Sequence, residues 1–270
     1  PLAHIVSNPD LKARTDHRLS WQTTLRCDSA RLTWYVGADA TFTHGAWGVR
    51  TTYDTQTGAY TYTDDNVDGN WQTAVKLGVN GALDSKRRLR YAVGAATRYV
   101  HSVDFAVAYD TPSDDLSRVN TVRTGLDMSL TYTLGKLTAG LAGKYASHHS
   151  RSDRAGFKPI DAFDYQYGAS LTYTIPVVDI DLSTDFNVFS RRGYGSAEMN
   201  TDDPVWNAQL SKSFFKGSLV AKLTAFDLLH QLSNKDYSVN AQGRTETRYN
   251  SIPRYLMLSL AYKFARKAKH

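Results

Sequence analysis

The 270-residue chain is predicted to be all-β, an antiparallel transmembrane β-barrel with about eleven strands in view. Three observations predict it. Apolar and polar side chains alternate with a period of two in about eleven separate segments, the signature of extended strands with one greasy face. The connections between those segments alternate between short and long. The apolar faces are almost free of charge.

Taken in chain order, the first segment, Leu19 to Cys27, carries the pattern weakly. In "LTWYVGADATF", Leu32, Trp34, Val36, Ala38, Ala40 and Phe42 face away from Thr33, Gly37, Asp39 and Thr41. "WQTAVKLGV" sets Trp71, Val75, Leu77 and Val79 against Gln72, Lys76 and Gly78, and a weaker copy follows over Leu89 to Tyr99. In "VRTGLDMSLTYTL" the apolar set is Val122, Leu126, Met128, Leu130, Tyr132 and Leu134, opposite Arg123, Asp127, Ser129, Thr131 and Thr133. Leu137 to Tyr145 repeats the pattern more weakly. "YQYGASLTYTI" places Tyr165, Tyr167, Ala169, Leu171, Tyr173 and Ile175 opposite Gln166, Gly168, Ser170, Thr172 and Thr174. "VVDIDLSTDFNVF" points Val178, Ile180, Leu182, Phe186 and Val188 one way and Asp179, Asp181, Ser183, Asp185 and Asn187 the other. Trp206 to Phe214 and Leu219 to Ala225 precede the last segment, "RYLMLSLAYKF". There Leu256, Leu258, Leu260, Tyr262 and Phe264 oppose Met257, Ser259, Ala261 and Lys263. Each segment has roughly the 9–11 residues that a tilted strand needs to cross hydrocarbon.

Short turns are expected at Cys27 to Ala30, Leu83 to Lys86, Leu134 to Lys136, Pro176-Val177 and Lys216-Gly217. Long polar stretches separate them, near 44–70, 100–119, 147–162, 190–204 and 230–252. Tight turns at one end and long loops at the other organise an outer-membrane barrel, with the turns periplasmic and the loops outside. A soluble sandwich has no reason to sort its loops in this way. The greasy face supports the same reading, because a Lys or Arg facing lipid costs about 2–4 kcal/mol at mid-depth. Lys212 is the main exception on that face. Trp21, Trp71, Tyr91, Tyr99, Tyr165, Trp206 and Phe264 sit near segment ends, as interfacial girdles require.

Composition excludes several alternatives. Apolar residues make up 41% of the chain, and nothing approaches the ~18 consecutive apolar residues of a transmembrane helix. The 17 Tyr, 10 Phe and 5 Trp favour strands. The net charge of +6 is scattered apart from Lys86-Arg87-Arg88 and Arg266-Lys267-Lys269, and no nucleic-acid motif accompanies it, so nucleic acid is not an expected partner. A single cysteine, Cys27, rules out a disulfide framework or a cysteine zinc site. The opening "PLAHIVSNPDLKARTDHR" has no signal-peptide core, so either the protein is cytosolic or the gene product begins upstream.

No catalytic motif is present: there is no G-x-S-x-G elbow, no H-E-x-x-H and no phosphate loop. No cofactor and no metal are expected. His148 and His149, adjacent on a strand, point to opposite faces and cannot readily share an ion. His101 with Asp104 is the one acid–base pairing the sequence offers, without a nucleophile beside it. The better candidates face the interior: Asp179, Asp181, Asp185 and Asn187 as an acidic strip, with Arg123, Asp127, Lys76, Lys144 and Lys222 projecting into the same space. They suit either a solute path or the bracing of a filled interior. Ligand capture would sit on the loops, at Tyr60, Tyr62, Arg191, Arg192 and Tyr194.

The stretch Pro204 to Phe264, with "NAQLSKSFFKG", "AFDLLHQ" and "NSIPRYLMLSLAYKF", closely resembles the closing strands of the TonB-dependent receptor family, in particular the barrel proteins of that type found in Bacteroidetes. That resemblance implies a 22-stranded barrel closed by an N-terminal plug and energised through a periplasmic contact with TonB. About eleven strands is half of that number, so residues 1–270 are expected to form the C-terminal part of such a barrel, with plug and signal peptide absent from this chain. A long last loop and an odd strand count put Pro1 on the outer side, which also suggests a fragment. The tail from Ala265 to His270 departs from barrels that end on their aromatic residue. The partners implied are outer-membrane lipid, the barrel's own N-terminal strands and plug, TonB, and a surface lipoprotein. Three functions stay open: a receptor taking up a scarce nutrient, a self-contained small outer-membrane enzyme, and a barrel anchoring a surface complex.

Overall fold

The computed structural model describes residues 3–106, 115–154, 157–195, 199–232, 235–239, 244–250, 252 and 254–264. The basic tail from 265 lies outside them. The described strands, in chain order, are β1 (Ala3–Val6), β2 (Thr15–Cys27), β3 (Leu32–His44), β4 (Ala46–Asp54), β5 (Ala59–Val67), β6 (Asn70–Ala82), β7 (Leu89–Phe105) and β8 (Leu116–Leu134). They continue with β9 (Leu137–Ser152), β10 (Ile160–Ile175), β11 (Ile180–Arg192), β12 (Asp202–Phe214), β13 (Leu219–Phe226), β14 (Lys235–Val239), β15 (Arg244–Arg248) and β16 (Tyr255–Tyr262).

Eleven of them form one antiparallel sheet in the order β16-β13-β12-β11-β10-β9-β8-β7-β6-β3-β2. These are the eleven segments the alternation predicts. Register keeps like faces together across the sheet: Leu77 pairs with Ala95, Ala95 with Leu126, Leu130 with Leu141, and Leu182 with Leu210. A slip of one residue anywhere would send every side chain of that strand to the wrong face. Strands β2 and β16 lie at the two edges of the sheet.

Among the described residues, the apolar face is left largely exposed. Leu258 is 66% exposed, Met128 61% and Leu77 50%. So large an exposed apolar surface is the mark of a face made for a nonaqueous neighbour. Aromatic rings meet near the strand ends: Trp71 stacks on Tyr99 at 4.9 Å, and Tyr262 meets Phe264 edge-on at 4.6 Å. Lys212 lies near the turn end of β12 with its ammonium 5.4 Å from the centre of the Phe214 ring. There its stem covers apolar surface while the charge reaches toward water.

The strands are longer than hydrocarbon demands. β7 has 17 residues, β8 19, and β9 and β10 16 each. They run into the expected loops, because the backbone ladder continues once both faces turn polar at residues such as Ser102, Asp104, Arg118 and Asn120. The long stretches are not bare loops either. β4 and β5 form a hairpin inside 44–70 on which β1 adds in parallel, and β14 pairs with β15 inside 230–252. The hairpin packs on the far end of β7 through Val67, Val103 and Phe105, with the Arg50 guanidinium 4.6 Å above the Phe105 ring. Buried apolar residues such as Val119, Ile160, Ala162 and Met199 gather at this same end of the sheet. Among the described residues, the dry core therefore gathers mainly among the long connections and not along the wall.

Candidate functional site: the polar inner face

The inner face carries hydrogen-bonded side chains rather than a packed core. Gln166 Nε2 donates to Asn187 Oδ1 at 3.2 Å, and Asn187 Nδ2 donates to Asp185 Oδ2 at 2.9 Å. Asn207 Nδ2 donates to the same Asp185 oxygen at 2.9 Å, while Asn207 Oδ1 accepts from the Asp227 backbone N–H at 3.0 Å. One chain of bonds thus crosses β10, β11 and β12 to the end of β13. Nearer the short turns, Thr174 Oγ1 donates to Asp181 at 2.6 Å. On the other side of the sheet Asp39 accepts from Ser20 at 3.0 Å and stands 3.5 Å from Arg18 and 3.9 Å from Lys76.

Glycines make room for these groups. A Cβ on Gly94 would collide with the Asp127 carboxylate, and one on Gly78 would overlap the Tyr35 ring. Asp127 lies opposite Lys144 in register, and Lys144 in turn lies opposite Gln166. Lys222 lies between Ser211 and Ser259. Of the expected acidic strip, Asp181, Asp185 and Asn187 face inward on β11. Asp179 does not join them. It sits exposed in the turn at φ 49°, a left-handed conformation that Asp tolerates better than most residues, and the strand begins one residue later.

At the long-connection end, a second cluster joins β9, β10 and the segment after β11. The Tyr194 hydroxyl lies 2.9 and 3.0 Å from the two Asp164 oxygens, and His148 Nε2 lies 3.2 Å from Asp164. Burial, and then the neighbouring Asp164 charge, push the Tyr194 phenol well above its ordinary pKa, while Arg191 and Arg123 act in the opposite sense. Tyr194 is therefore a neutral donor at physiological pH.

His149 points the other way, as its parity requires. It contacts Asp161 at 2.7 Å on the outer face, where Arg151 makes two bonds to the same carboxylate at 2.8 and 2.9 Å. Arg191 and Arg192 divide likewise. Arg191 pairs in register with Asp164 inside, whereas Arg192 turns outward to Asp202 at 2.6 Å and to the Tyr165 ring. Tyr60 and Tyr62 stand on β5, half-buried and stacked at 6.4 Å, with Tyr53 against Tyr60 at 4.7 Å. They belong to an ordered sheet, not to a loop tip. The His101–Asp104 pairing is absent: His101 Nδ1 meets Asn120 Oδ1 at 2.7 Å, and Asp104 accepts from its neighbour's N–H. Two residues apart in number would share a face, but three do not.

Sequence reasoning passed over Arg98, Asp164 and Asn207. Their parity was legible, yet only register shows that they meet residues on neighbouring strands. Among the described residues no group of three or more potential ligands converges on a metal position.

No curated protein matches this chain. A solved structure of P. aeruginosa FpvA bound to a heterologous pyoverdine–iron complex is similar at 14% identity and a TM-score of 0.43, over 79% of this chain and 41% of that one. The chain thus spans less than half of the FpvA structure. The apolar outer face, the alternating connections and the wet inner face have one architecture in common, and the model of the outer membrane protein beta-barrel family matches residues 1–262: the chain belongs to that family of outer-membrane proteins.

Proposed function

We propose that this barrel takes up a scarce nutrient across the outer membrane, capturing it at the outer surface and releasing it inward with energy supplied through TonB. The observation that carries the reading is the inner face. A wall whose interior residues bond laterally to one another, from Gln166 through Asn187 and Asp185 to Asn207, stands as a wet surface with donors and acceptors to spare. Such a surface suits a lumen that holds a removable plug and passes a polar solute, because hydrogen bonds to the plug exchange with bonds to water. The resemblance of Pro204 to Phe264 to TonB-dependent receptors of the Bacteroidetes type supports the same reading.

On this proposal residues 1–270 are the C-terminal part of a larger, 22-stranded barrel, and the plug and the TonB contact lie elsewhere in the protein. A surface lipoprotein that presents the nutrient would dock on the long connections. Catalysis is not part of the proposal, since His101 is bonded to Asn120 and faces away from Asp104. The test is uptake. Cells in which this coding segment is deleted should lose growth on one limiting nutrient, and loss of TonB should reproduce the defect. Normal growth of the deletion strain under every limitation removes the transport reading and leaves the anchoring one.

A further inference from the structure

The inner face carries a pair of like charges that the fold does not neutralise. Arg98 on β7 lies directly opposite Arg123 on β8, and Arg123 lies directly opposite His148 on β9. Among the described residues neither guanidinium makes an ion pair or a hydrogen bond. Like charges facing each other across an antiparallel pair are destabilising. Several arginines of this chain are matched with carboxylates, Arg18 with Asp39, Arg50 with Asp65, Arg151 with Asp161 and Arg192 with Asp202, whereas among the described residues Arg98 and Arg123, like Arg26 and Arg90 at the turn end, are not. Asp164, two residues along β10 from the Ala162 that pairs with His148, is already committed to Tyr194 and His148. Arg191, opposite Asp164 in register, adds a third guanidinium within electrostatic reach of Tyr194.

The place matters as much as the charge. Arg98, Arg123, His148, Asp164 and Arg191 all lie toward the ends of their strands that meet the long connections, on the side facing the lumen. An arriving solute meets this end first. Guanidinium groups bind carboxylate and phosphate through paired, charge-assisted hydrogen bonds, and a concave surface of one sign draws such ligands in. We propose that Arg98 and Arg123 form an oxyanion-binding seat in the outer vestibule, and that the solute this barrel captures is anionic, carrying carboxylate or phosphate. The Tyr194–Asp164–His148 contacts brace the seat and hold Asp164 away from it. This deepens the transport proposal and rests on it for the direction from which the ligand arrives.

Citrate and pyrophosphate serve as probes, titrated calorimetrically into the purified full-length protein in detergent at low salt. Saturable binding of at least one is expected, weakened about tenfold or more in the double variant R98Q/R123Q. The same two charges removed at the opposite mouth, in R26Q/R90Q, should change it by less than about twofold. Relief of repulsion also means that R98Q/R123Q unfolds at the same denaturant concentration as the parent or a higher one. Absence of binding to the parent, equal loss in both double variants, or a marked loss of stability in R98Q/R123Q each overturns the seat. The two proposals fail separately. Uptake that depends on the gene yet is untouched in R98Q/R123Q removes the seat alone, and binding through Arg98 and Arg123 without any uptake defect removes the transport reading alone.

Discussion

At the scale of the single residue, the face to which a side chain points decides its worth. Met128, 61% exposed between Val93 and Gly143, and its neighbour Ser129, facing the lumen, differ by one position and by the solvent they meet. Met128→Arg should cost about 2–4 kcal/mol of folding stability in lipid vesicles, and Ser129→Arg much less. Equal losses in denaturant titrations of the two variants would sink the assignment of faces. A second residue effect concerns crowding. Gly94→Val would drive the Asp127 carboxylate from its place, so the variant should be destabilised, and the added change Asp127→Ala should recover much of the loss. Without that recovery in the same titrations, the glycine is needed for its backbone and not for the room it leaves.

At the scale of the element, the strand ends beyond the hydrocarbon are tied by carboxylates. Hydrogen bonds from His149 and then Arg151 hold Asp161 below the ordinary carboxylate range, and those from Arg192 and Ser190 do the same for Asp202. Both are depressed in the folded state, so their contribution is present above the unfolded carboxylate pKa, about 3.9, and is lost as pH falls through the lower folded values. Protection factors at the β9–β10 and β11–β12 ends, corrected for the pH dependence of intrinsic exchange, should therefore fall as pH drops below about 4, while the mid-wall amides stay protected. Uniform exchange along the strands would contradict this. Alternation alone located these strands, and the length sorting of connections located their ends on the turn side. On the other side it misjudged them, since a ladder of backbone bonds continues wherever a partner strand continues, whatever the side chains do. β7 and β8 pass well beyond the polar residues that seemed to end them.

At the scale of the molecule, four of the five tryptophans, Trp21, Trp34, Trp71 and Trp206, lie on the outer face of the wall. Trp47 stands on β4 of the small covering sheet, and its indole N–H donates to the Lys12 carbonyl at 3.0 Å. In vesicles of brominated lipid, single-tryptophan variants retaining any of the four should be quenched and the one retaining Trp47 should not. Quenching of Trp47 would mean that the β4–β5 hairpin lies in the bilayer and that the wall has been oriented wrongly.

The sequence by itself determined the class of fold, the eleven wall strands and which face of each is greasy, because a period of two and a cost for charge in hydrocarbon are written residue by residue. It placed Asp181, Asp185, Asn187, Arg123 and Lys76 on the inner face for the same reason. Only the tertiary structure decided which inner residues meet, that Arg98 confronts Arg123 while Asp164 is taken by Tyr194 and His148, and that Asp179 and Arg192 leave the groups they seemed to join. Those facts depend on the stagger between neighbouring strands, and stagger is fixed by pairing over the whole sheet, not by any one segment.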